Sequence, residues 1–437
     1  MRKIEELTWG VTLAAAQTEG AYNKDGKGLS IWDTFTEKKY KIKDGSNAKI
    51  ATDFYHRYKE DIDIAVAIGL KIFRFSIAWS RILPDGVGEI NAKGVDFYNK
   101  VIDYCLEKDI EPWITTYHWD LPQKLQDKGG WVNRDIVEAY KKYVTILRDH
   151  FSDRVKNWII INEGIVCIGG GYFLGVHAPG KRGIRNFSAA THHLLLAQAT
   201  GFKVLKQVDN LCVGTAVSCT KIEPFSKSKK DVKAAKRIDA LMNRLFIEPH
   251  LGMGYPESDL PLVKRIQKYV KDGDMDQMKT DFDFWGIQTY TREVIRAAWY
   301  IPYLGAMQVK PKNRNVATSI MGWETYTKGI SYFLKRFANY DHNKSLWLTE
   351  CGMALAKNED EEKRIEYYTE IIDEMKLALN DNVNLKGILL WTLVDNFEWA
   401  EGYVPKFGIV SLNHKTLERK LKKTAIWLTT YLSNVKL

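Results

Sequence analysis

Residues 157–165 read NWIIINEGI. Trp158, Ile159, Ile160 and Ile161 form an unbroken apolar run, and Asn162, Glu163 and Gly164 stop it. A short continuous apolar run bounded by a glycine reads as a strand buried on both faces, not as one with a wet side. Runs of the same kind recur near 8–15, at 71–77 (KIFRFSI), 112–118 (PWITTYH), 212–219 (CVGTAVSC), 284–290 (FWGIQTY), 345–350 (SLWLTE) and 387–394 (GILLWTLV). Between most of them lie amphipathic stretches of helical period, at 61–70, 95–108, 136–151, 188–207 and 361–379. Buried strands alternating with helices predict a parallel sheet covered by helices. The count of strand candidates predicts one closed (β/α)₈ TIM barrel, a single domain filling residues 1–437. A doubly wound sheet is the alternative, but no GxGxxG fingerprint follows the first strand.

Composition narrows the classes of function. The hydrophobic share of 45% and charged share of 27% suit an ordinary globular core. The 14 Trp are an excess, and their broad faces suit stacking on the C–H surfaces of sugars, although most are expected in the core. The charge of +10 comes from 64 Lys and Arg against 54 Asp and Glu. It is scattered, and its densest runs, 181–185 and 226–237, read as solvated faces without a nucleic-acid motif. No nucleic-acid partner is expected. Five Cys, with no CxxC pair, argue for free thiols in a reducing compartment and against a zinc site. The N-terminus MRKIEELTWG has no apolar signal segment, and no apolar stretch reaches spanning length. A cytoplasmic protein without membrane contact is expected. A homo-oligomer is left open.

In a barrel of this type, chemistry sits at the C-terminal ends of the strands. Polar residues gather there: Gln17 and Glu19 after strand one, Arg74 in strand two, His118, Trp119 and Asp120 after strand three. Asn162 and Glu163 follow strand four, Gln288 and Tyr290 strand six, and Glu350 strand seven; Trp391, Glu398, Trp399 and Glu401 come with strand eight. Glu163 and Glu350 would face each other across the mouth. Two carboxyls flanking one bond are the minimum for glycoside hydrolysis, one protonated and one ionised. Either could equally be a surface ion pair. His192 and His193 are adjacent on a helix and share no face, so packing rather than metal binding is expected.

Seven stretches resemble glycoside hydrolase family 1, the retaining β-glucosidase family, in order along nearly the whole chain. They are QTEGAYNKDGKGLSIWDTF (17–35), FRFSIAWSRILPDG (73–86), TYHWDLPQKLQDKGGW (116–131), GYFLGVHAPG (171–180), MGWETY (321–326), LTECGMA (348–354) and WTLVDNFEWAEGYVPKFGIV (391–410). The resemblance implies a barrel, and a retaining exo-β-glycosidase acting on a small-molecule β-glycoside or oligosaccharide with no metal or organic cofactor. It implies that Glu163 is the acid/base, that Glu350 is the nucleophile, and that the carboxyls lie ~5–5.5 Å apart. It assigns the sugar 2-hydroxyl to Asn162, and the non-reducing sugar to Gln17, His118, Trp391, Glu398 and Trp399, with Trp119 and Phe407 counted among the substrate-binding residues. Arg74 and Tyr290 would contact the nucleophile, and Trp323 would form a platform for the leaving group. Glu398 and Trp399 replace the Ser- and Lys-containing phosphate motif of 6-phospho-sugar members, so a neutral glycone is implied.

The chain departs from the family pattern at Gly164 (Pro in the family), Ile160 (Thr), Cys351 (Asn), Gln288 (Asn) and Ala16 (Tyr). Several would stand behind the two carboxyls. A looser site is expected, with mobility at Gly169–Gly171, and with it a slower or more selective enzyme. A carbohydrate-binding protein with weak or lost catalysis, or a transglycosylase, are the alternatives. Residues 292–320 read as a partly ordered loop over the mouth.

Overall fold

The computed structural model describes residues 3–356 and 360–435. Eight parallel strands close a barrel: β1 (Thr8–Leu13), β2 (Ile72–Ser76), β3 (Glu111–Tyr117), β4 (Asn157–Asn162), β5 (Cys212–Ser218), β6 (Phe284–Gln288), β7 (Ser345–Cys351) and β8 (Leu385–Trp391). Each pairs with its sequence neighbours, and β8 closes on β1. All eight runs read from the sequence are strands of this barrel. A long helix follows each: α1 (Phe54–Ile68), α2 (Ala92–Glu107), α3 (Ile136–Phe151), α4 (Ile184–Leu205), α5 (Lys229–Met242), α6 (Gly329–Tyr340), α7 (Glu361–Asn380) and α8 (Lys423–Val435).

The strands read as unbroken apolar runs because both of their faces are buried. Ile72, Trp113, Ile159, Ala216, Phe284 and Leu389, one from each of six strands, pack with Trp347 inside the barrel. Trp113 anchors this layer, 4.7 Å from the Trp347 ring and 5.4 Å from Phe284. The alternate residues face the helices: Ile160, next to inward Ile159, packs near Gly201 of α4. The same period that puts Ile72 in the floor puts Arg74 one layer higher, toward the strand ends.

The strand pairings are regular except on β4 and β7. Their registers shift between Ile159 and Asn162, and between Leu348 and Glu350. Such irregularities re-aim side chains at the rims of barrels. Here they fall just before the two carboxyls singled out in the sequence.

The 292–320 segment is more regular than a partly ordered loop, with turns and coil joining short strands. Arg292–Ala297 and Ala306–Gln308 form a three-stranded sheet with Lys221–Pro224, and Pro311–Arg314 is a 3₁₀ turn. Arg292 ties it down through Glu223 at 2.7 Å and Glu324 at 2.7 Å. The glycine run 169–171 is also regular, continuing the short helix Gly164–Ile168 as a π-helical turn over Gly169–Leu174. No helix among the described residues is long and apolar enough to cross a membrane.

Candidate active site

A cavity of about 380 Å³ opens at the C-terminal ends of the strands, within the ~300–1,000 Å³ usual for small-molecule sites. Glu163 and Glu350 both line it, 7% and 4% exposed. Glu163 caps the helix Gly164–Ile168 with left-handed backbone, φ 47° and ψ 60°. Its N–H donates to the Ala216 carbonyl at 2.9 Å, and its own carbonyl accepts from Val166 and Cys167. The chain thus turns sharply at Glu163 and projects the carboxyl into the cavity. Trp119 and Trp399 also have positive φ, 73° and 48°. Three cavity-lining side chains therefore sit on backbone that costs a non-glycine residue of order 1–3 kcal/mol, a cost that persists where surrounding structure over-determines it.

Gly164 does not loosen this turn. A Cβ there would stand 2.8 Å from Phe246 and 2.9 Å from Leu194, so those side chains fill the space that a larger residue would take.

Glu350 is held on several sides. Arg74 Nη1 lies 3.2 Å from Oε1, Tyr290 donates to Oε2 at 2.9 Å, and Gln288 adds a further bond that favours the ionised form. Arg74 also donates to the Thr349 carbonyl at 2.9 Å, Thr115 Oγ1 at 2.9 Å and Asn162 Oδ1 at 2.7 Å. A guanidinium only donates, so the Asn162 atom facing it is the oxygen. Gln288 Nε2 donates to that same oxygen at 2.8 Å. The Asn162 amide then points at His118 Nε2, 2.9 Å away. His118 must accept there and carry its proton on Nδ1, a buried atom with no partner in the protein. Burial and Arg74 keep this ring neutral.

The two carboxyls are pushed apart in acidity. Burial and the neighbouring Glu350 raise Glu163 well above the carboxylate range, against weaker help from Ser218 and Arg74. Burial raises Glu350 too, but Arg74, Tyr290 and Gln288 hold it lower. A proton shared by the pair therefore resides on Glu163, and the negative charge on Glu350.

Aromatic rings wall the cavity. Trp119 stacks near Trp399 at 4.5 Å, and His118 lies 6.0 Å from both Trp391 and Trp399. Opposite, Tyr290, Trp323 and Phe407 cluster at 5.7–6.5 Å. Glu398 also faces the cavity, its carboxyl pushed up to about 8 by burial and the charge of Glu350. It therefore enters neutral conditions protonated, and charge repulsion of a phosphate is weaker than its sequence suggests. No Lys or Arg is among the described residues lining the cavity.

Of the site residues expected from sequence, Glu163, Glu350, His118, Trp119, Asn162, Tyr290, Trp323, Trp391, Glu398, Trp399 and Phe407 line the cavity together. Arg74 and Gln17 stand behind its wall, both fully buried. Gln17 Nε2 donates to the Phe397 carbonyl at 2.7 Å and lies 3.4 Å from Glu398, leaving its Oε1 without a partner. Glu19 and Asp120 fall outside. Glu19 pairs with Arg81 at 2.9 Å, and Glu19 and Asp120 border a separate small cavity with Ala16 and Trp32.

Cys351 is fully buried, and burial pushes its thiol up, out of nucleophilic range. His192 bonds Asp274 at 2.8 Å and His193 the Trp131 carbonyl at 3.0 Å, both buried. Among the described residues no three His, Cys, Asp or Glu side chains group as metal ligands. Sequence reasoning missed Ser218, His177, Met242 and Glu293 in the lining. Ser218 ends a strand and carried a readable signal; Met242 ends a helix, Glu293 lies on the added sheet, and His177 sits in the connection before Ile184–Leu205.

The chain matches the model of glycosyl hydrolase family 1 over residues 3–436. It is 39% identical to the 1,4-beta-D-glucan glucohydrolase of Thermotoga neapolitana over 99% of each chain. It is 38% identical to beta-glucosidase A of Thermotoga maritima, over 98% of this chain and 97% of that one. The solved structure of a Thermotoga maritima family 1 glycoside hydrolase, complexed with a cyclophellitol analogue transition state mimic, superposes with a TM-score of 0.93. It is 38% identical and covers 99% of this chain and 98% of that one.

Proposed function

The chain belongs to glycosyl hydrolase family 1 and is a glycosidase, and on that premise we propose that it removes the terminal β-D-glucosyl residue from β-glycosides, with retention at C1. Galactosyl and fucosyl glycosides are accepted as side substrates. Glu350 attacks C1 as the bond to the leaving oxygen breaks, and Glu163 gives its proton to that oxygen. Water then attacks C1 of the glycosyl ester, Glu163 takes the water's proton, and Glu350 departs. Asn162, aligned by Arg74 and Gln288, meets the sugar 2-hydroxyl. His118 Nδ1, Gln17 Oε1, Glu398 and the Trp391–Trp399 wall hold the remaining hydroxyls and ring faces.

The observation that carries this reading is the asymmetry of the two carboxyls: Arg74 and Tyr290 contact Glu350 directly, while Glu163 has neither partner. That gives one ionised and one protonated group in one cavity, as the two steps require. Two of the departures keep the site supported, since Phe246 and Leu194 fill the space beside Gly164 and Gln288 bonds Asn162, which favours catalysis over a binding role. A lining without Lys or Arg among the described residues favours a neutral glycone. The whole chain, 1–437, serves as one catalytic domain, and its unpaired cysteines fit the cytoplasm.

Initial rates on nitrophenyl glycosides test the reading. Turnover of the β-glucoside, with weaker β-galactoside and β-fucoside and none of the α-glucoside or 6-phospho-β-glucoside, is expected. A folded protein inactive on all, or preferring the phosphorylated sugar, would contradict it.

A further inference from the structure

Four charged side chains that the chemistry above does not use lie behind the cavity wall. Glu361, Arg364, Asp395 and Lys422 are at most 5% exposed, and none of them lines the cavity. Asp395 stands in the loop after β8, shortly before Glu398 and Trp399. Lys422 immediately precedes α8; its Nζ donates to Asp395 Oδ1 at 2.9 Å and lies 4.0 Å from Glu361. The Gly408 N–H donates to the same Asp395 oxygen at 3.0 Å. Arg364, on α7, pairs with Glu361 at 2.6 Å and donates to the carbonyls of Gly408, at 2.8 Å, and Lys406. Phe407, which lines the cavity, is thus gripped through both of its chain neighbours. The packing here is backbone on backbone: a Cβ on Gly408 would stand 2.2 Å from the Asp395 nitrogen. Beyond Asp395 the loop is held by Gln17, which donates to Asn396 Oδ1 at 3.3 Å and to the Phe397 carbonyl at 2.7 Å.

A buried ion pair returns little net stability, because desolvation offsets the attraction, yet removing one partner strands the other charge. What such a pair fixes here is the position of the loop. We propose that Lys422 is a positioning residue for the glycosidase reaction: by holding Asp395 from behind the wall, it sets where Glu398, Trp399 and Phe407 stand against the sugar. The proposal rests on the functional reading above and adds to it a residue that touches no substrate. Without the ammonium, the buried Asp395 carboxylate is left with the Gly408 N–H, and the loop must shift to bring it another donor. Glu163 and Glu350 are placed by β4, β7 and Arg74 instead. Recognition of the sugar therefore suffers before bond breaking at C1 does.

The test is the ratio of kcat/KM for 4-nitrophenyl β-glucoside to that for the β-fucoside, measured on the same preparations of wild type, Lys422→Met, Lys422→Arg and Lys423→Met. The two sugars differ only at C4 and C6, among the hydroxyls that this wall holds. The ratio does not depend on how much of a variant folds, so a merely structural role leaves it unmoved. In Lys422→Met it is expected to fall roughly tenfold, short of the ~10²-fold that a misplacement of about 1 Å can cost, with the loss mainly in KM for the glucoside. Lys422→Arg, which keeps the charge, should recover most of it. Lys423→Met removes only the neighbouring exposed pair with Glu362 and should leave the ratio as in wild type. Asp395→Asn leaves Lys422 beside Glu361 and should shift the ratio the same way, which keeps the test open if Lys422→Met does not fold. An unchanged ratio in Lys422→Met or Asp395→Asn, or an equal shift in Lys423→Met, overturns the proposal alone. A wild type inactive on both glycosides overturns the functional reading and this proposal with it.

Discussion

Arg74 stands 3.2 Å from Glu350, and both are almost wholly buried. The guanidinium cannot lose its proton there, so it fixes charge beside one carboxyl of the pair and not the other. Replacing Arg74 by Met leaves Glu350 buried without its cation and frees Asn162. Activity is expected to fall roughly 10²-fold or more, by analogy with removing one preorganised electrostatic group. The acid limb of the kcat/KM profile should move to higher pH, since Arg74 lowers the pKa of Glu350. Arg74→Lys restores a charge without the fork and should recover part of the pH shift but little rate. A profile that drops in height without moving would contradict this role.

The wild-type profile should be bell-shaped. Rate is lost at low pH as Glu350 takes a proton, and at high pH as Glu163 gives one up. Both limbs should lie above the ordinary carboxylate range, because burial raises both groups. An acid limb at the free-carboxylate value near ~4.3 would count against the buried pair.

Glu398 makes a separate prediction about stability. Its folded pKa, about 8, is above that of an unfolded carboxyl. A raised folded value means that the folded state holds the proton more tightly. Its contribution is complete below ~4.3 and is lost as pH rises through about 8. Glu398→Gln keeps shape and removes the titration. Its Tm relative to wild type should rise between pH 5 and pH 8; a constant difference would refute the assignment.

Gly164 is packed, not loose. Gly164→Ala should destabilise by about 1–3 kcal/mol through contact with Phe246 and Leu194. Restoring the family's Pro at this position meets the same side chains. Pairing Gly164→Ala with Phe246→Leu should recover part of the loss. Denaturant unfolding of the single and double variants measures this; a neutral Gly164→Ala would show that the gap is roomier than the contacts imply.

Gln288 spans to Asn162 at 2.8 Å. Gln288→Asn is one methylene shorter and withdraws that donor. A fall of about tenfold in kcat/KM is expected, larger for the glucoside than for its 2-deoxy analogue, because the loss acts through the 2-hydroxyl. Equal losses on both substrates would separate Gln288 from Asn162.

The barrel was legible because a strand buried on both faces leaves a short, continuous apolar run. The Asn162-Glu163-Gly164 stop carried the turn as well, in a polar pair followed by a glycine. Looseness at Gly164 was misread because its space is filled by Leu194 and Phe246, some 30 and 80 residues away in sequence, which local reading cannot supply. The added sheet was missed because its strands mix exposed and buried positions, as in Arg292–Ala297, and lack a period of two. Glu293 was hidden for the same reason. Ser218 was overlooked although its strand, like the others, ends in a polar residue.

The most direct test of the two carboxyl roles is the product that azide forms with the Ala variants on an activated aryl β-glucoside. Glu163→Ala still forms the ester through Glu350, so azide should attack it from the opposite face and yield β-glucosyl azide. Glu350→Ala lacks the nucleophile, so azide should take its place and yield α-glucosyl azide. Those two products, each from its own variant, are the predicted result. The reverse pairing, or unimpaired glucose release by either variant, would contradict the assignment.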